Sequence, residues 1–146
     1  MENRWKFGSI LSRRSVHESW FRHFENTDIL GRMEFATKVS GAKLILVLGH
    51  NNCGAVKAAI DGAELGNITA MLKNIQPAIA ALSDYEGDKS SKNVDFVNRV
   101  TVKNIELTIS DIRSGSPIMK EMEDQGQLKM LGALYDMNSG AITFLE

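Results

Sequence analysis

The segment that most restricts what this chain can fold into is KLILVLGHNNCGAVKAA, Lys43 to Ala59. Its apolar run Leu44–Leu48 has no polar face, so it reads as a fully buried strand in a sheet covered by helices on both sides. The run stops at Gly49 and His50, and a helix is expected from near Asn52 or Cys53 through GAVKAAI. The chain's only cysteine therefore falls three residues after a histidine, where a strand ends and a helix begins. Core packing does not call for that arrangement, whereas a metal site uses imidazole and thiolate as ligands. A thiol at a helix start also has its anion favoured by the unpaired N–H groups there. Gly49 and Gly54 are expected to let the backbone fold tightly around such a site. The alternative is that His50 merely closes the strand and Cys53 is a small buried apolar residue.

The text on either side supplies helices. NTDILGRMEFATKVSG offers Asn26 or Thr27 as N-cap, Asp28 in the first turn, and Ile29, Leu30, Met33, Ala36 and Val39 at helical spacing, with Gly41 as the stop. GNITAMLKNIQPAIAAL is helical with Pro77 inside, which kinks the helix or begins a new one. SDYEGDKSSK is a solvated loop. NVDFVNRVTVKNIELTISDIRSG is a long amphipathic helix with Val94, Val97, Thr101, Ile105, Ile109 and Ile112 on one face. Ser116 as N-cap and Pro117 at the first helical position begin another helix. LKMLGALYDMNSGAITFLE reads as strand, turn and strand, bent at NSG, with Tyr135 and Asp136 serving the hairpin. Alternating strands and helices define an α/β fold with a mostly parallel central sheet flanked by helices. Residues 1–23, rich in Arg, Ser, Trp and His, show no period and read as an arm.

At 146 residues, with 17 Lys and Arg against 18 Asp and Glu, the chain is expected to be one domain, residues 1–146. Its near-neutral charge gives no field for nucleic acid or an anionic membrane, and no apolar run is long enough to span a bilayer. One cysteine excludes an internal disulfide framework, and the N-terminal text has no apolar signal core, so a cytoplasmic location is expected.

The segment ENTDILGRMEFATKVSGAKLILVLGHNNCGAVKAAIDG resembles the central part of β-class carbonic anhydrases, and the similarity runs from about Phe24 to the C-terminus. The pair of elements GH-x-x-CGA, Gly49 to Ala55, and GALYD-x-x-SG, Gly132 to Gly140, carries it. The resemblance implies a zinc enzyme interconverting carbon dioxide and bicarbonate, with His50 and Cys53 as metal ligands and the Gly54 N–H beside the substrate. It also implies a homodimer or higher homo-oligomer.

The resemblance has a gap. The family's remaining half-site, a Cys-x-Asp-Ser-Arg element on an earlier strand, supplies a further Cys ligand and an Asp–Arg pair. Neither is present in these 146 residues, so no catalytic residue is assigned. A truncated gene, a shifted reading frame over the first 23 or so residues, or a true variant would each produce this text. The expectations are a sheet lacking the family's first strands, an apolar strand edge left to be covered, and impaired activity. A non-catalytic relic or dimerising scaffold is the alternative. Substitute ligands are sought in His17, His23, Glu18 and Glu25, without support from their spacing. A Cys53 nucleophile activated by His50 is a third possibility. Asp28, Glu34, Asp61 and Glu64 read as surface charges or caps.

Overall fold

A computed structural model describes residues 27–145 and the two-residue strand β1, Ser15–Val16. Three further strands follow: β2, Leu44–His50; β3, Lys129–Tyr135; and β4, Ile142–Phe144. They form one sheet in the order β1-β2-β3-β4, parallel up to β3 and antiparallel between β3 and β4. The mostly parallel α/β fold expected from the sequence is the fold observed. The segment read as an irregular arm contributes β1, which pairs only with Leu44 and Ile45. From Leu46 to His50 the described pairing of β2 is with β3 alone, in register from Leu46↔Leu131 to His50↔Tyr135.

Six α-helices are described: α1 (Thr27–Glu34), α2 (Gly54–Ile60), α3 (Gly66–Lys73), α4 (Gln76–Ala80), α5 (Val94–Gly115) and α6 (Pro117–Asp124). The helix expected to run regularly to Val39 instead widens after α1 into a π-helical turn, Phe35–Val39. Thr37, buried there, donates its hydroxyl to the Met33 carbonyl four residues back at 2.8 Å, a bond that competes with the helical ladder. Gly41, at φ +76°, ends the segment. Pro77 lies in the first turn of α4, which begins after a break at Asn74 and Ile75, so the proline opens a new helix rather than kinking an old one.

Helix α5 starts where Asn93 accepts hydrogen bonds from the N–H groups of Asp95 and Phe96. Val94, expected on its buried face, is its first residue and is exposed, while Val97, Thr101, Ile105 and Ile112 are buried. Side chains alternate across a strand, so Ile45, Val47 and Gly49 of β2 share a face with Met130, Gly132 and Leu134 of β3. Helix α5 crosses this face. A Cβ on Gly49 would lie 2.8 Å from Ile105 Cδ1 and from Thr101 Cγ2, and one on Gly132 would lie 2.7 Å from Ile105 Cγ2. The two glycines are thus the seat into which Ile105 packs. β2 is less enclosed than its apolar text suggests: Ile45 and Leu46 are buried, and its other residues are half-buried.

Two clusters make the core. One joins Met33, Ile45, Ile112, Met119, Met122, Leu128 and Met130 beneath the sheet. The other joins Val56, Ala59, Leu72, Ile75, Ala78, Phe96, Val97 and Val100, and it supports α2. Ser116 caps α6, accepting from the Met119 N–H at 3.2 Å, and donates its hydroxyl to Glu34 Oε1 at 2.6 Å, tying α6 to the end of α1. Glu34 is therefore a partner across the fold rather than a surface charge. Arg113 and Glu123 join α5 to α6 through two hydrogen bonds of 2.7 Å. No helix among the described residues is long and apolar enough to cross a membrane.

Candidate metal centre

The turn from β2 into α2 takes three residues, Asn51 to Cys53. His50 ends the strand opposite Tyr135. Asn51 continues the ladder, its N–H donating to the Tyr135 carbonyl at 3.0 Å. Asn52 reverses the chain at φ +53°, a left-handed conformation that asparagine tolerates better than most side chains. Cys53 returns to extended geometry as the N-cap of α2.

Side chains from elsewhere hold this turn. Asn51 Nδ2 donates to Asp136 Oδ1 at 3.1 Å, and Asn51 Oδ1 accepts from the Met137 N–H at 3.0 Å. Both partners belong to the bend between β3 and β4. On the opposite side, Asn98 Oδ1 on α5 accepts from the Asn52 N–H at 2.9 Å. Asp136 also accepts from the N–H groups of Asn138 at 2.7 Å and Ser139 at 3.3 Å, and these bonds, that of Asn138 foremost, hold its carboxyl below the usual range. Its hairpin role is as expected; its tie to Asn51 was not read from the sequence. Nor were the roles of Asn51 and Asn98. The Asn-Asn pair after a strand was the available signal, since asparagine marks left-handed turns.

His50 Nδ1 lies 2.9 Å from the Asn51 carbonyl oxygen. A carbonyl can only accept, so the neutral ring carries its proton on Nδ1 and its lone pair on Nε2. Metal-bound histidines use this arrangement, one nitrogen donating to a carbonyl and the other facing the ion. Cys53 is half-buried, outside any disulfide, and packs against the cluster that supports α2. Gly54 is exposed, and a Cβ there would meet nothing within 4 Å, while the close approach at Gly49 is to Ile105 and Thr101 of α5 rather than to the His–Cys turn.

The two donors therefore have the chemistry zinc requires, but their number does not fit. No group of three or more His, Cys, Asp or Glu side chains that could hold a metal occurs among the described residues. His17, His23, Glu18 and Glu25 lie outside the described residues.

A small, mostly parallel sheet crossed by one long helix thus carries an imidazole and a thiol at the turn after β2. The family model for carbonic anhydrase matches residues 5–142, reaching back beyond Phe24 where the motif resemblance stops. Carbonic anhydrase 2 of Mycobacterium tuberculosis is 27% identical over 123 residues, covering 81% of this chain and 56% of that protein. The carbonic anhydrase of Pseudomonas aeruginosa is 30% identical over 117 residues, covering 78% and 51%. The chain thus spans about half the length of the curated relatives it matches. Among solved structures, the β-carbonic anhydrase CafA of Aspergillus fumigatus superposes with a TM-score of 0.71 at 23% identity, covering 85% of this chain and 58% of that one. One of two tetrameric β-carbonic anhydrases from Sordaria macrospora superposes with a TM-score of 0.70 at 21% identity, covering 82% and 60%. The chain belongs to the carbonic anhydrase family, and its fold is that of the β-class structures.

Proposed function

We propose that these residues carry part of a site for the reversible hydration of carbon dioxide to bicarbonate. In this reading His50 and Cys53 are two ligands of a zinc ion, and the Gly54 N–H borders the substrate. Hydration by this chain alone is impaired. One observation supports the reading: His50 and Cys53 flank one strand-to-helix turn, with His50 Nδ1 2.9 Å from the Asn51 carbonyl oxygen, which leaves Nε2 as the nitrogen for a metal. The impairment rests on the donor count, since one imidazole and one thiolate leave a four-coordinate ion short of a defined geometry. Gly54 is exposed at the start of α2, which is consistent with a place at the edge of a small-molecule pocket. A cytoplasmic homodimer or larger homo-oligomer is the accompanying proposal, supported by the tetrameric Sordaria macrospora relatives.

Zinc titration in competition with a chromophoric chelator tests the ligand assignment. The expected result is weak binding by the wild-type chain that both His50→Ala and Cys53→Ser abolish. Binding that survives both substitutions would overturn it. Stopped-flow hydration with zinc added tests the impairment, for which a rate no higher than buffer is expected.

A second reading, a scaffold without metal chemistry, is favoured by the same shortage of donors among the described residues. It predicts no zinc binding at all by the wild-type chain.

A further inference from the structure

The peptide unit between Asn51 and Asn52 is held at both ends. Its carbonyl oxygen lies 2.9 Å from His50 Nδ1, and its N–H donates to Asn98 Oδ1 at 2.9 Å. In a trans peptide these two groups point in opposite directions, so whatever fixes one fixes the other. No cis bond occurs among the described residues. The unit also leads into Asn52, whose left-handed conformation persists only where the surroundings enforce it. Asn98 comes from α5, 46 residues further along the chain, and is half-buried. The Asn51 side chain, bound to Asp136 and Met137, anchors the same peptide from the hairpin side.

We infer that Asn98 is a positioning residue for His50, acting through the Asn51–Asn52 peptide to set the ring's orientation and tautomer. The inference rests on the proposed reading for its purpose, because a ligand histidine must present a lone pair in a fixed direction. Its physical content does not depend on a metal. Without an acceptor at position 98, the Asn52 N–H has no protein partner on that side and the peptide can rotate toward a relaxed conformation. The Asn51 carbonyl then turns away from Nδ1, and the preference for the Nδ1–H tautomer is lost. A chain of hydrogen bonds also polarises its members, so removing Asn98 weakens the bond at the other end even before any rotation.

The test is nitrogen NMR of the His50 ring in the metal-free protein, at a pH where the ring is neutral. The wild-type ring is expected to favour the Nδ1–H tautomer. Asn98→Ala, which removes the acceptor while keeping a good helix former, should lower the ratio of Nδ1–H to Nε2–H by roughly fivefold, the value of one net hydrogen bond. Asn98→Asp keeps an acceptor oxygen and should restore the ratio. Ser116→Ala loosens α6 elsewhere in the fold and should leave the ratio unchanged. An unchanged ratio in Asn98→Ala would overturn the inference, as would an equal shift in Ser116→Ala or a failure of Asn98→Asp to restore it. Zinc titration of the wild-type chain stands apart from these outcomes. Absence of binding there removes the metal reading and leaves the tautomer result to decide the role of Asn98.

Discussion

Gly49 and Gly54 look equivalent in the sequence, one on each side of the His–Cys pair, and the structure separates them. The Cβ of an alanine at position 49 would stand 2.8 Å from Ile105 Cδ1 and Thr101 Cγ2, closer than packed carbons come, so those side chains, α5 or the strand must shift. Gly49→Ala is expected to lower stability by about 1–3 kcal/mol, the usual cost of forcing a methyl into a filled core, measured by urea unfolding. Gly54→Ala meets open space and should change stability by no more than about 0.5 kcal/mol. The difference was not legible because it is made by residues of α5, about fifty positions along the chain. The His50 and Cys53 pair was legible, because both lie within one turn. Asn98, which completes that turn from a distant helix, was not.

At the level of elements, starts and stops were readable where a local hydrogen bond defines them. Ser116 caps α6 as its sequence context indicates, whereas Asn93, read as part of the α5 helix, proves to be its cap. Ser116→Ala removes an acceptor for the Met119 N–H and a donor to Glu34 in a fully buried setting, so a loss of about 1–2 kcal/mol is expected in thermal or urea unfolding. The π-helical turn was not readable, because Ile29, Met33 and Ala36 keep ordinary helical spacing and the Thr37 bond to the Met33 carbonyl has a counterpart, Thr101 to Val97, in the regular helix α5. The junction of α5 with α6 also carries a pH dependence. The Arg113 guanidinium holds the Glu123 carboxyl below its usual range. The folded carboxylate thus binds a proton less readily than the unfolded one. Its contribution is complete above the unfolded carboxyl's titration and is lost as pH falls through the lower, folded value. Arg113 is well exposed, so the contribution is about 0.5–1 kcal/mol after solvent screening. Glu123→Gln should make unfolding stability less steep in acid; an acid limb identical to wild type would contradict the assignment.

For the molecule as a whole, the class of fold follows from one apolar strand and its helical neighbours, and the observed sheet agrees. The apolar text of β2 could not supply the company it keeps, but the missing half-site did, since it foretold a sheet without the family's first strands and an edge left to be covered. The apolar text predicts burial on both faces, yet β1 pairs with only the first two residues of β2, and the strand is half-buried over most of its length. Burial of a strand depends on the segments beside it, and those are not encoded in the strand itself. The same dependence governs the candidate metal centre. The turn after β2 carries His50 and Cys53, and no third His, Cys, Asp or Glu joins them in a metal-binding group among the described residues.

That count is the centre of the functional reading, and zinc content measures it directly. The chain, purified without chelator and dialysed against metal-free buffer, should retain well under one zinc per chain by elemental analysis. One zinc per chain, lost on Cys53→Ser, would show that a complete set of donors is assembled around His50 and would contradict the account.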